Sequence, residues 1–196
     1  MAQTWEDVGL DDARLSLAGA LQELMDEDML HSGARARMVA LVSSCRFFHQ
    51  SLAQTESALT EALALAEREG ERGDLAECHY RMGVLKKGQG NLIRAEEFLR
   101  EALRGWEGIG GDSPVPGLRQ RARTLEMLGH VLRDKGRHAA AHDCFSSSHS
   151  ILEDLVARHP RDSACLHHFA IVKKYRGYAC DDLGDQSGAM GNYQAS

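Results

Sequence analysis

Small and bulky apolar residues recur along this chain in one register: Gly83, Gly90, Ala95 and Leu99, then Gly129, Gly136, Ala141 and Phe145, then Gly177, Gly184, Ala189 and Tyr193. The columns advance by 46 and then 48 residues, so one supersecondary unit is repeated. Within a unit the second Gly follows the first by seven residues, the Ala comes five later, and the bulky residue four after that, on the Ala's helical face. Small residues let two helices cross closely, and a turn glycine reaches the left-handed backbone that ends the first helix. The pattern therefore predicts helix, tight turn, helix.

Between these landmarks the polar and apolar alternation predicts helices over about 34–49, 52–69, 75–88, 91–107, 118–135, 138–158, 162–182 and 185–196. Residues 1–33 read as a lead-in and capping helix, with Asp11 or Asp12 capping a stripe of Leu15, Ala18, Leu21 and Met25. Asp74 is expected to cap the helix after the Gly70 turn. Residues 108–117, dense in Gly and Pro, are expected to form a linker, and His159-Pro160 to break the chain before the last unit. The units then fall at about 34–70, 74–107, 118–158 and 162–196. No sustained period-two run occurs, so the class is all-α.

These residues resemble the tetratricopeptide repeat, whose consensus runs W-x2-L-G-x2-Y, then A-x3-F, then a late small residue. The second unit matches at His79, Met82, Gly83, Lys86, Ala95, Leu99 and Ala102. The third matches at Leu125, Leu128, Gly129, Leu132, Ala141, Phe145 and Ser148, and the fourth at Lys173, Arg176, Gly177, Ala189 and Tyr193. A first unit fits Val39, Val42, Ser43, Thr55, Leu59 and Ala62. The usual period is about 34 residues, so these units are a long-period version. They are similar to repeats of bacterial multi-domain signalling proteins, as is the spacer Leu155–Asp162, and to kinesin-light-chain-like arrays.

The resemblance implies an α-α superhelix whose first helices line a concave groove. Carried onto this sequence, the inward positions are Glu77, Tyr80, Val84 and Lys87, then Arg123, Glu126, His130 and Arg133, then Ile171, Lys174, Tyr178 and Asp181. Of these, Tyr80, Val84, Lys87, Arg123, Glu126, His130, Arg133, Lys174 and Tyr178 are the expected partner-binding residues. Their mixture suits a peptide with apolar anchors and an acidic residue or terminal carboxylate. The carboxylate clamp of chaperone-binding versions also needs inward asparagines, which this face lacks. The implied function is a non-catalytic scaffold that takes a partner polypeptide. The alternatives are a regulatory segment of a larger bacterial signalling enzyme or transcription regulator, and a self-assembly module working through the last helix. The short last helix leads to the expectation that the natural chain continues.

Composition narrows the partners. A formal net charge of −6 argues against a general nucleic-acid binder, which needs a basic face. No apolar stretch is long enough to span a membrane, and Met1–Asp7 lacks a basic leader and apolar signal core, so a cytoplasmic location is expected. Five cysteines without a C-x-x-C pair fit neither a disulfide framework nor a zinc site, and read as small core hydrophobes.

Other candidate chemistry is weak. His138, His142 and His149 share helical spacing but no completing ligand, and read as a solvated face. His167 and His168 read as helix surface and core edge. Asp181, Asp182 and Asp185 lack the closing Glu of a calcium loop. Gly83–Gly88 resembles a phosphate loop only superficially, since Gln89 stands where its lysine belongs. No metal, cofactor or catalytic residue is expected.

Overall fold

The computed structural model describes residues 52–70, 72–107, 115–185 and 188–191. The expected leading helix, the first helix of the first unit, residues 108–114 and Tyr193 lie outside the described residues. Six helices follow in order: α1 (Leu52–Glu69), α2 (Arg72–Gly88), α3 (Leu92–Glu107), α4 (Val115–Asp134), α5 (His138–Arg158) and α6 (Ser163–Asp182). Residues 188–191 add a helical turn, and there is no strand among the described residues. The chain is an α-α superhelix of antiparallel helix pairs, α2 with α3 and α4 with α5.

The glycine register explains the pairing. A Cβ on Gly83 of α2 would stand 2.7 Å from Leu99 Cγ of α3. One on Gly129 of α4 would stand 2.7 Å from Phe145 Cε1 of α5. The same column of the repeat thus brings each first helix onto the bulky residue of its second helix. Gly177 is buried in the equivalent place. Leu99, Phe145, Ala95 and Ala141 are fully buried, so the crossings form the middle of the core.

Three turns close alike. Gly90, Gly136 and Gly184 have φ of 76°, 71° and 78°. In each, the glycine N–H donates three residues back and the next N–H donates five back, for example Gly136 to Arg133 O and Arg137 to Leu132 O, both 2.9 Å. This double closure satisfies the last carbonyls of the first helix and requires a left-handed residue at the turn.

Two boundaries differ from the sequence reading. Asp74 does not cap α2: the helix begins at Arg72, and Asp74 sits buried in its first turn, where a negative charge favours the amino-terminal dipole. The predicted linker also ends early, because α4 starts at Val115 and takes Pro116 and Gly117 into its first turn, where proline's missing N–H costs no helix bond. At α6 the structure supplies a cap that the sequence reading does not name: Asp162 accepts from Ala164 N at 3.0 Å and Cys165 N at 3.1 Å.

Successive units share one core. Tyr80, Leu99, Leu128, Phe145 and Ala179, from α2, α3, α4, α5 and α6, belong to a single buried cluster. A polar tie reinforces it on α3, where Glu96 receives Arg100 at 2.8 Å, Lys135 at 2.6 Å and Arg137 at 2.9 Å. Burial acts to raise the Glu96 carboxyl, but the hydrogen bonds and charges of Lys135 and Arg100 prevail and hold it at about 2. Cys78, Cys165 and Cys180 are buried and stand in the core as thiols rather than disulfides.

Candidate functional site

Curvature identifies the inner surface. Among the described residues α2 approaches α4 and α4 approaches α6, while no Cα of α3 comes within 8 Å of one in α5. The first helices therefore crowd on the inside and the second helices fan out.

The three inner helices are joined largely through the positions that the repeat resemblance implies for the groove. Arg123 of α4 lies over the Tyr80 ring of α2, 4.9 Å from its centroid. Gln120 donates to Glu77 at 3.2 Å. Lys87 pairs with Asp134 at 2.9 Å, and one unit later Arg133 pairs with Asp182 at 2.7 Å. These two ion pairs are the same pair repeated, since Lys87 and Arg133 share a register position, as do Asp134 and Asp182. Arg133 also stands over the Tyr178 ring at 5.6 Å.

Glu126 occupies the centre. Its Oε2 is 2.5 Å from His168 Nε2 on α6, and its Oε1 is 3.6 Å from His130 Nε2 one turn along α4. Burial acts to raise this carboxyl, but hydrogen bonds and charge from His130 and His168 prevail and hold it at about 2. The His130 ring meets Tyr175 edge-on at 4.2 Å and Phe145 at 5.3 Å. The carboxylate is thus an ionised strut between two units.

Access along this face is unequal. Tyr80 is 4% exposed, and burial raises its phenol against the charge of Arg123. Val84, Glu126 and His130 are half-buried. Arg123 and Lys174 are exposed, as is Tyr178 at 37%. Lys87 and Arg133 are matched by carboxylates, whereas Arg123 and Lys174 lie against Tyr80 and Tyr175 with no carboxylate within ion-pair distance among the described residues. The register clarifies Lys174: it is the counterpart of Tyr80 and Glu126, which face the following inner helix.

The groups that join the helices but are not assigned to the groove from sequence are Gln120, Asp134, His168, Tyr175 and Asp182, of which the sequence reading places His168 at helix surface or core edge and Asp182 in a turn. A signal was available, because Gln120 and His168 share a register position and each reaches back to the preceding inner helix. His149, expected on a solvated face, is instead 7% exposed at the α5–α6 contact, while His138 approaches Asp182 at 3.5 Å. Asp185 caps the final helical turn through Gly188 N at 3.0 Å.

Among the described residues no group of three or more metal-ligating side chains is assembled. The Cys78 and Cys144 thiols are pushed up to about 12 and about 11 by burial, which suppresses thiolate character. None of the described helices is long and apolar enough to cross a membrane.

No protein-family model matches the sequence, and no curated protein is similar to it. Solved structures are similar in fold. The nearly identical TPR-like repeats of a protein described as a kinesin light chain of Podosopora anserina match with a TM-score of 0.62 at 11% identity, over 99% of this chain and 94% of that one. A single-substitution form of the same repeats matches with a TM-score of 0.57 at 13% identity, over 94% and 91%. At such identities the likeness establishes a TPR-like superhelical fold.

Proposed function

We propose that this TPR-like array is a non-catalytic protein-interaction scaffold that seats a partner polypeptide along the inner face of α2, α4 and α6. The observation that carries the proposal is the pair Arg123 and Lys174, exposed cations on that face without a carboxylate among the described residues. Their heads rest on aromatic rings, which hold a cation in place while leaving its outward donors available. A segment bearing an acidic side chain or terminal carboxylate, with an apolar anchor beside Tyr178, matches this arrangement.

Selection of displayed random peptides on the full chain tests the reading. Acidic sequences with an apolar or aromatic anchor should be enriched, and Arg123→Glu or Lys174→Glu should weaken the best of them about tenfold or more, with helicity unchanged. Lys87→Glu and Arg133→Glu, whose charges are already matched, should weaken it less directly. Enriched peptides that bind the Arg123 and Lys174 variants as well as the parent would exclude this face.

A second reading rests on a separate observation. Lys174 and Tyr178 stand where the earlier units face another inner helix, and Leu183 and Met190 nearby are 47% and 61% exposed. This favours a docking edge for a further domain, as in a regulatory segment of a larger protein, or for a second copy. Light scattering across concentration separates the last case, since a persistent monomer removes self-assembly.

A further inference from the structure

The buried His149 has no part in the groove. It lies on α5 against α6, where its ring packs on Phe169 with centroids 4.8 Å apart. The residue is 7% exposed, and its Nε2 is buried without a hydrogen-bond partner among the described residues. On its own helix the nearest charge is Glu153, a largely exposed carboxylate 4.0 Å from Nδ1. From α6 it is faced by Arg176 and Lys173, the latter with Nζ 4.6 Å from the Phe169 centroid. From α4 the neighbouring contact is neutral, Ser148 donating to Ala122 O at 2.8 Å.

An imidazole packed on an aromatic ring, with a buried Nε2 that has no hydrogen-bond partner among the described residues and two cationic side chains facing it from α6, is tolerated while neutral. Burial first, and then the Arg176 charge, disfavour its protonated form, and Lys173 adds to them against the pull of Glu153. We propose that His149 makes the joint between α5 and α6 acid-labile: a proton on its ring places a cation beside Arg176 and Lys173, and α6 loosens from α5 while α2 and α3 stay packed. A repeat array permits this, because each unit is held by its neighbours and can open locally.

The sign follows from linkage. In the open form the ring takes a proton near its ordinary value of 6.5, whereas in the packed form it resists. The joint is therefore intact above that pH and weakens below it, until the packed ring also takes the proton. One such proton changes the opening equilibrium by up to about tenfold per pH unit. His79, on α2 beside Phe98, is also disfavoured as a cation by burial, but Glu101 and Glu67 favour its charge against Arg104, whereas His149 meets two cations, so it serves as the comparison.

Native-state hydrogen exchange on the full chain at pH 7.5 and 5.5, corrected for the intrinsic pH dependence of exchange, tests the proposal. Protection in residues 163–182 should fall further in the parent than in His149→Phe, by up to about tenfold over this range, because the phenylalanine keeps a ring on Phe169 but takes no proton. His149→Gln provides the same comparison should the phenylalanine variant misfold, and His79→Phe should leave the loss in α6 unchanged. An equal fall in the parent and both His149 variants, or a fall spread evenly over α2 to α6, would overturn the proposal.

Discussion

Gly129→Ala is the sharpest test of how the units are built. In an exposed helix interior the change would stabilise by about 1 kcal/mol, because alanine loses less backbone freedom on folding. Here the new methyl would stand 2.7 Å from Phe145 Cε1, 2.8 Å from Cζ and 3.0 Å from Cδ1. Carbon contacts are optimal at about 3.5–4.0 Å, so three ring atoms would be compressed together. The ring has little room to retreat, since it is fully buried and flanked by His130 at 5.3 Å and Tyr175 at 6.0 Å between centroids. Overpacking of this kind costs about 1–3 kcal/mol, which against the propensity gain leaves a net loss of up to about 2 kcal/mol. Gly83→Ala should also destabilise, because its methyl meets Leu99 Cγ at 2.7 Å and Cδ2 at 2.9 Å on a fully buried side chain. Urea unfolding of both variants measures the loss. Phe145→Leu combined with Gly129→Ala should recover at least about 1 kcal/mol relative to additivity. A Gly129→Ala protein more stable than its parent would refute the close crossing.

Two further outcomes follow from polar contacts. Glu96, held at about 2 against an ordinary 4.5, is a carboxylate whose folded value is depressed, so its contribution is complete above pH 4.5 and disappears as pH falls from there towards 2. Glu96→Gln should cost about 1–2 kcal/mol at pH 7, discounted because Arg100 and Arg137 are half-exposed, and parent and variant stabilities should converge in acid; a constant gap between pH 7 and 3 would refute the tie. Asp162→Ala removes the acceptor of two helix N–H groups and should destabilise the start of α6, read as earlier melting with greater exchange in its first turn.

The fold was legible because its determinants are local and repeated. Gly83 and Gly129 announce close crossings, Gly90, Gly136 and Gly184 announce left-handed turns, and their even spacing allows only one supersecondary unit. The start of α4 was not, because proline and glycine read as breakers although the first helical turn tolerates both. The inner face was half legible. Register shows that Tyr80, Glu126 and Lys174 are equivalent, but not that such a position faces the next helix, where Tyr80 meets Arg123 and Glu126 meets His168. Burial of His149 escaped notice for a related reason: a helix packed on several sides carries no clean polar stripe, so a histidine among serines gives no sign of the neighbour that covers it.

The crowding of α2, α4 and α6 beside the separation of α3 and α5 also fixes how the array responds to force. Curling it further would press together inner helices that already touch through packed rings. Opening it would draw apart partly exposed links such as Lys87 with Asp134 and Arg133 with Asp182, each worth at most about 1 kcal/mol. Raised salt, which screens those links more than the half-buried Glu126–His168 strut, therefore loosens the array only in part.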